Sequence, residues 1–333
     1  MEIRFVTVTH CNADCYFCLN EYVGTKSPAF SLYPTHYGML MEAAASLAVT
    51  DCTITGGEPT LRKDLKDIIV NIRPFSSRIT MISNGYKLIN RLDVVRDIDE
   101  LHVSYHSMSD EEWQRITKVH GGPERVKKNL IAARQVNPSM RIKLNVVAEA
   151  QNSTIEEIEQ YLSLAQEVSA EISVFKEGYF SFLSEMGADQ GSHPKAVDMW
   201  NLASFGGQII GTTERKQIFK VDGVKVALTH TSTDKPSWDS CWITPTGGAF
   251  VDSRQRSKLI NLLPSVEGEN TAKLRKALSS LFTEAELLHE MGNPDNRKHK
   301  LYAEFQSLVD NRFATLDVLE PLTVKELVSW QKR

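Results

Sequence analysis

Apolar and polar residues alternate along Ile3–Thr9, the period-two pattern of a strand with one buried face. Pro34–Ala48 has helical spacing, and Cys52–Thr55 is a short strand running into Gly56-Gly57. A helix follows over Leu61–Ile72, then a strand over Arg78–Ile82 that ends at Ser83-Asn84-Gly85. Leu101–Tyr105 and Arg141–Val147 read as strands, separated by a helix at Pro123–Val136. In Thr154–Val168 the residues Ile155, Ile158, Leu162 and Ala165 fall on one helical face, and Glu171–Phe175 is a sixth strand. Strands alternating with helices predict βαβ units on a parallel sheet. Six such units predict an α/β chain built as a partial (β/α)6 TIM-like barrel, whose functional groups gather at the C-terminal ends of the strands.

Past residue 180 the pattern changes. Lys216–Thr229 predicts a β-hairpin turning at Asp222-Gly223, and Cys241–Val251 a second around Thr246-Gly247-Gly248. From Asn270 the chain reads as charged helix, broken near Gly292-Asn293-Pro294. The expected organisation is a barrel core over 1–180 and an extension over 181–333, hairpins then helices, covering the barrel opening. The 333 residues are 41% hydrophobic and 24% charged, with a net charge of -4. That balance lacks the basic footprint of a nucleic-acid binder. No apolar run reaches the length of a membrane span, and MEIRFVTVTH lacks the form of a signal peptide. A cytoplasmic protein is expected.

Three of the five cysteines, Cys11, Cys15 and Cys18, lie in the loop directly after the first strand. Such a tight thiol cluster in a reducing compartment points to a soft metal, as zinc or as an iron–sulfur cluster. Structural zinc wants four protein ligands, for which His10, His36 or a remote cysteine would have to serve. An iron–sulfur cluster with one open iron needs no fourth residue.

CNADCYFC after a first strand resembles the signature of the radical S-adenosylmethionine (SAM) enzymes. Gly56-Gly57-Glu58-Pro59 resembles that family's motif for the methionyl ammonium of SAM. Ser83-Asn84-Gly85 resembles its turn after the third strand, and Ser104 its strand-four serine on the SAM ribose or carboxylate. The resemblance covers about residues 3–180 and implies a [4Fe–4S] cluster on Cys11, Cys15 and Cys18, with SAM chelating the fourth iron. One-electron cleavage of SAM would yield a 5′-deoxyadenosyl radical that abstracts hydrogen from a substrate. An electron donor such as flavodoxin or ferredoxin is then implied. Phe17 resembles the family's aromatic near the adenine, and is equally readable as a core residue.

Lys143 and Asn145 share one face of the fifth strand. Lys143 is a candidate catalytic residue for a substrate phosphate or carboxylate, and Asn145 a candidate cofactor contact. His106, Lys176, Glu177, His230, Trp238 and Trp242 are weaker candidates for the pocket, and Cys52 reads as a core residue. RIKLNVVAEAQN and LHVSYHSMSDEEWQRIT are similar to segments of MoaA-type GTP cyclases, and Cys241-Trp-Ile-Thr-Pro-Thr-Gly-Gly resembles the stretch after one of their second-cluster cysteines. Cys241 alone is too few for that cluster, the GTP-binding arginines are absent from Trp242-Ile243-Thr244, and the C-terminal Gly-Gly of that family is missing. The expectation is a single-cluster radical SAM enzyme acting on a small polar metabolite, with a nucleotide or nucleoside intermediate as one form. The outcome would be cyclisation, rearrangement, elimination or decarboxylation. A peptide-modifying maturase is one alternative, with a first strand near residue 3 arguing against an added N-terminal peptide-binding domain. A zinc-binding structural or sensor protein is the other.

Overall fold

The structure, a computed structural model, describes residues 1–18, 32–175, 200–213, 216–229, 239–251, 260–292 and 297–315. Its strands are β1 (Glu2–Val6), β2 (Asp51–Thr55), β3 (Arg78–Ser83), β4 (Glu100–Ser104), β5 (Arg141–Val147), β6 (Ala170–Phe175), β7 (Gln208–Thr212), β8 (Lys216–Val221), β9 (Val224–Thr229), β10 (Ser240–Ile243), β11 (Gly248–Phe250) and β12 (Ile260–Asn261). The helices are α1 (Pro34–Ala45), α2 (Leu65–Ile72), α3 (Leu92–Val95), α4 (Asp110–Thr117), α5 (Gly122–Val136), α6 (Ile155–Glu167), α7 (Leu263–Glu267), α8 (Thr271–Met291) and α9 (Tyr302–Thr315). Two compact units emerge: residues 1–10, 20–80 and 234–333 form one, residues 11–19 and 81–233 the other. β3 carries the chain from the first into the second.

In the first unit the strand order is β12-β11-β10-β1-β2. β1 lies parallel to both β2 and β10, while β10-β11-β12 is antiparallel. Ile3 and Phe5 are fully buried. The Phe5 ring meets Tyr37 of α1 edge-on at 5.1 Å, an arrangement the ring quadrupoles favour. Helix α8 packs on α1 and α9. Between α8 and α9 the Arg312 guanidinium donates to Glu284 Oε2 at 2.5 Å, to Ser280 Oγ at 3.1 Å and to the Ser280 carbonyl at 3.1 Å. The Arg312 and Glu284 side chains are 1% and 3% exposed.

In the second unit the order is β4-β5-β6-β9-β8-β7, parallel from β4 to β9 and antiparallel from there. Each strand alternates. Leu101, Val103, Ile142, Leu144, Val146, Ile172 and Val174 are buried on one face, and polar residues mark the other. On the apolar face Tyr105 meets Trp113 of α4 at 4.9 Å and Tyr161 of α6 at 6.1 Å, and donates to the Pro123 carbonyl of α5.

The six strands expected in the first half are all present, and the helical crossovers between them give the expected partial barrel pattern. The first expected hairpin is β8–β9, turning at Asp222 (φ 47°) and Gly223 (φ 85°), the positive-φ pair of a type I′ turn. The short elements α3, α4, α7, β7 and β12 escaped the sequence reading. β7 is an edge strand whose Gln208, Ile209 and Ile210 are all exposed, so it shows no alternation. α4 is short and follows β4 after a few residues; it is started by Ser109 Oγ, which accepts from the Glu112 amide at 3.4 Å.

The buried pair across α8 and α9 predicts a double-mutant signature. Arg312→Met leaves the Glu284 carboxylate buried without its partner and lowers unfolding stability by about 3–5 kcal/mol. Adding Glu284→Leu restores most of that loss. Urea midpoints of the wild-type, single and double variants check it.

Candidate active site

In the first unit, β2 ends on the glycines predicted from the sequence. The Gly57 amide donates to the Val8 carbonyl at 2.8 Å and the Glu58 amide to the His10 carbonyl at 3.0 Å. A Cβ on Gly56 (φ +144°) would lie 2.4 Å from Val8 O, and one on Gly57 would lie 2.2 Å from His10 O. Both glycines are therefore required by close approach to the chain leading into Cys11. Glu58 is fully buried, and its Oε1 accepts from the Thr60 amide at 3.0 Å and from Thr60 Oγ1 at 2.5 Å. Arg62, 3% exposed, donates to the carbonyls of Thr7 at 2.7 Å and Leu32 at 2.8 Å and to the Tyr37 hydroxyl at 2.9 Å. It ties the end of β1 to the chain entering α1. Sequence reasoning did not single out Arg62; a lone arginine just after the glutamate carries no periodic signal.

The cysteine loop belongs to the second unit. Its backbone is fixed to the end of α4 by two bonds, Asp14 N to the Thr117 carbonyl at 2.9 Å and Tyr16 N to the Ile116 carbonyl at 3.2 Å. Cys18 N donates to the Cys15 carbonyl at 2.9 Å, closing a turn that carries both thiols. Cys11 and Cys18 are exposed and Cys15 is half-buried, with no disulfide. Burial, then the neighbouring Cys18 and Cys11, push the Cys15 thiol well above its ordinary range. Cys18 and Cys11 thus oppose ionisation of the Cys15 thiol, which a bound cationic metal centre would relieve. Among the described residues no three His, Cys, Asp or Glu side chains converge closely enough to share one metal ion. Three thiolates on a four-iron cluster each take a different iron, so the donor set fits the larger group.

Asn84, at the end of β3, is brought to this loop. Its Nδ2 donates to Cys11 Sγ at 3.5 Å and to Asn12 Oδ1 at 2.8 Å. Ser83 Oγ accepts from the Gly85 amide at 3.0 Å, and Gly85 (φ +80°) has no room for a side chain, since a Cβ would lie 2.6 Å from Val126. Phe17 is 6% exposed and meets His106 edge-on at 4.8 Å. His106 is buried, and its Nδ1 accepts from the Val147 amide at 3.4 Å. Burial holds its imidazole down to about 4.

Ser104 and Asn145 are register neighbours on β4 and β5, with Ser173 opposite Asn145 on β6. Asn145 Oδ1 is buried without a partner, as is Thr229 Oγ1 on the same face of β9. Lys143 lies one pair nearer the start of the strands. Its ammonium donates to Glu100 Oε1 at 3.2 Å and lies 3.2 Å from His102 Nε2. Hydrogen bonds from His102 and the charge of Lys143 hold the Glu100 carboxyl down at about 2, so Lys143 serves an ion pair here. Trp242 stacks with Phe250 at 6.3 Å under the Arg4 guanidinium, and Cys52 is buried in β2. Cys241 is fully buried in β10, and burial and Glu284 push its thiol up. Lys176, Glu177, His230 and Trp238 lie outside the described residues.

A histidine kept neutral by burial destabilises the fold on acidification, because the unfolded chain takes up the proton first. Between pH 6.5 and 4.5 His106 contributes about 2 kcal/mol of such loss. His106→Asn keeps an acceptor for Val147 and removes the term. The difference between wild-type and variant urea midpoints across this window checks it, other titrating groups cancelling.

Residues 5–164 match the Radical SAM superfamily. The probable GTP 3′,8-cyclase of Metallosphaera sedula is 35% identical over 173 residues, covering 50% of this chain and 53% of that protein. The probable GTP 3′,8-cyclase of Pyrobaculum aerophilum is 31% identical over 173 residues, covering 51% and 55%. The chain spans about half the length of the curated relatives it matches. Among solved structures, Streptococcus suis SuiB bound to S-adenosylmethionine aligns with a TM-score of 0.57 at 12% identity, covering 79% of this chain and 63% of that one. The likeness is one of fold, a partial barrel of parallel strands. Among the described residues no helix is long and apolar enough to cross a membrane. Over residues 5–164, then, the chain carries a domain of the Radical SAM superfamily, whose members work with a [4Fe–4S] cluster and SAM.

Proposed function

We propose that this chain is a single-cluster radical SAM enzyme acting on a small polar metabolite. The observation that carries the reading is the loop after β1 that holds Cys11, Cys15 and Cys18, with the Asn84 amide donating to Cys11 Sγ at 3.5 Å and the Cys15–Cys18 turn closed by a backbone bond of 2.9 Å. In this reading the three cysteines hold the cluster, and Phe17, Gly56, Gly57, Glu58, Ser83, Asn84, Ser104 and Asn145 are the residues that place SAM. When bound, the pair supplies one-electron cleavage of SAM and hence hydrogen abstraction from an unactivated C–H bond. The chain's own residues have simpler tasks. Asn84 orients the Cys11 sulfur, the buried Phe17–His106 contact excludes water beside the loop, and neutral His106 brings no competing charge. An external one-electron donor of the flavodoxin or ferredoxin class completes the requirement. Residues 1–180 form the core domain, and 181–333 an extension.

Two features guide the substrate. Lys143 is engaged by Glu100, so it offers no spare cation to a phosphate. Thr229 Oγ1 is buried, neutral and unpartnered, and favours a bound molecule with hydroxyl or amine hydrogens. GTP cyclisation is disfavoured by the missing arginines and by Cys241, which is sealed beside the Glu284–Arg312 pair. Cyclisation, rearrangement, elimination and decarboxylation of another metabolite all stay within the reading.

Anaerobically reconstituted protein with SAM and dithionite is expected to release 5′-deoxyadenosine, measured by chromatography, and Cys15→Ala is expected to release none. A wild-type protein fully loaded with iron and sulfide that binds no SAM would overturn the reading. Asn145→Ala is expected to weaken SAM binding to the loaded protein about tenfold, the loss of roughly 1.4 kcal/mol, as read by equilibrium dialysis.

A further inference from the structure

Beside the cysteine loop lies a buried carboxyl group that the proposed chemistry does not use. Glu149 follows β5 and is 4% exposed. One of its oxygens accepts from the Tyr16 hydroxyl, and the other from the Arg115 guanidinium. Arg115 also bonds Glu112 through two donors, at 2.8 Å and 2.5 Å to Oε1 and 2.9 Å to Oε2, and its guanidinium lies 5.2 Å from the centre of the Tyr16 ring. Tyr16 is therefore gripped at its hydroxyl and over its face. A carboxylate this deeply buried is costly unless both oxygens are satisfied, and here both are.

Glu149 is itself held from behind. Its amide donates to Asn152 Oδ1 at 2.7 Å, and Asn152 Nδ2 donates to the carbonyls of His106 at 2.6 Å and Val147 at 2.8 Å. Asn152 is fully buried. It thus links the segments that follow β4 and β5, and each of these segments holds one of the two aromatic residues between Cys15 and Cys18. Phe17 rests on His106, and Tyr16 bonds Glu149. The two rings meet edge-on at 5.3 Å.

We propose that Glu149 is a positioning residue for the metal-binding loop: through Tyr16, and backed by Arg115 and Asn152, it fixes the turn that aims the Cys15 and Cys18 thiols. Ligands meeting at one centre must be held to within about half an ångström. The two backbone bonds to α4 fix the loop's position, while the side chains of Tyr16 and Phe17 fix the rotation of the turn between the thiols. The inference rests on the cluster assignment above for its purpose, but not for its geometry.

The test uses the full chain as wild type, Tyr16→Phe, Glu149→Ala and Glu149→Gln. Tyr16→Phe keeps the ring and removes only the hydroxyl, so its fold, followed by circular dichroism, stays intact. In the metal-free proteins, the rate at which dibromobimane bridges neighbouring thiols reports their relative aim. After anaerobic reconstitution, loss of iron to a chelator and the electron paramagnetic resonance spectrum of the reduced centre report the bound cluster. Tyr16→Phe and Glu149→Ala are expected to slow bridging severalfold and to lose iron about 10–100-fold faster, the usual effect of removing a support behind a metal ligand. Glu149→Gln keeps one acceptor oxygen for the Tyr16 hydroxyl but sets an NH2 against the Arg115 guanidinium, and is expected to recover both properties in part. Bridging at the wild-type rate in Tyr16→Phe and Glu149→Ala overturns the proposal. A wild-type chain that takes up no iron, with bridging still slowed in those variants, leaves the positioning role standing and overturns the cluster assignment instead.

Discussion

The end of β2 runs so close to the chain leaving β1 that no side chain fits between them, and much of the candidate site follows from that. Gly57 and Glu58 donate to the carbonyls of Val8 and His10, the last residues before Cys11. Arg62 then secures Thr7 from the other direction. Any Cβ at Gly56 or Gly57 would push the two segments apart. The Gly-Gly-Glu run therefore has a structural duty that is separate from any contact with a cofactor. Glu58 illustrates the point: one carboxylate oxygen is already engaged by Thr60.

Charge in the second unit is arranged with similar economy. On the polar face of its sheet, the pairs nearest the strand starts are mutually neutralised: Glu100 with His102 and Lys143, and Glu171 with Arg141 and Lys225. One step further along the strands the residues become neutral, with Ser104, Asn145 and Ser173 side by side. Buried charge without a partner costs far more than a buried neutral group. The neutral row is therefore where the fold can tolerate unused hydrogen-bonding capacity, and Asn145 Oδ1 shows such capacity there, with Thr229 Oγ1 one step further along β9. A ligand that supplies donors there gains more than it would from a row already closed by ion pairs.

The strands and crossovers were legible because each parallel strand keeps one buried face, and the glycine-rich ends were legible because Gly56, Gly57 and Gly85 stand where backbone or side chains leave no space. The three cysteines stood out by their spacing, and the structure places them in one loop after β1. Lys143 was legible only in part. Period two correctly put it on the polar face with Asn145, but a one-dimensional pattern does not reveal that Glu100 and His102 meet it from the adjacent strand. Arg62, Arg115, Glu149 and Asn152 were invisible for the same reason. Each acts through a partner distant in sequence, as in the pairing of Tyr16 with Glu149, 133 residues away, and nothing in local composition marks such a pair.

The two aromatic residues between Cys15 and Cys18 bring these strands of argument together. An exposed loop bearing thiols has no hydrophobic reason to keep a single shape, since Cys11 and Cys18 gain nothing from burial. Its order must come from neighbours that are themselves buried. Phe17 supplies part of it by packing on a histidine that burial keeps neutral, and Tyr16 supplies the rest by reaching a carboxylate that a guanidinium keeps satisfied. One contact is apolar and the other polar, so the two hold the turn by different means. A loop held in this way can leave its sulfur atoms open for a ligand while its backbone stays fixed, which a metal centre with one exchangeable position requires.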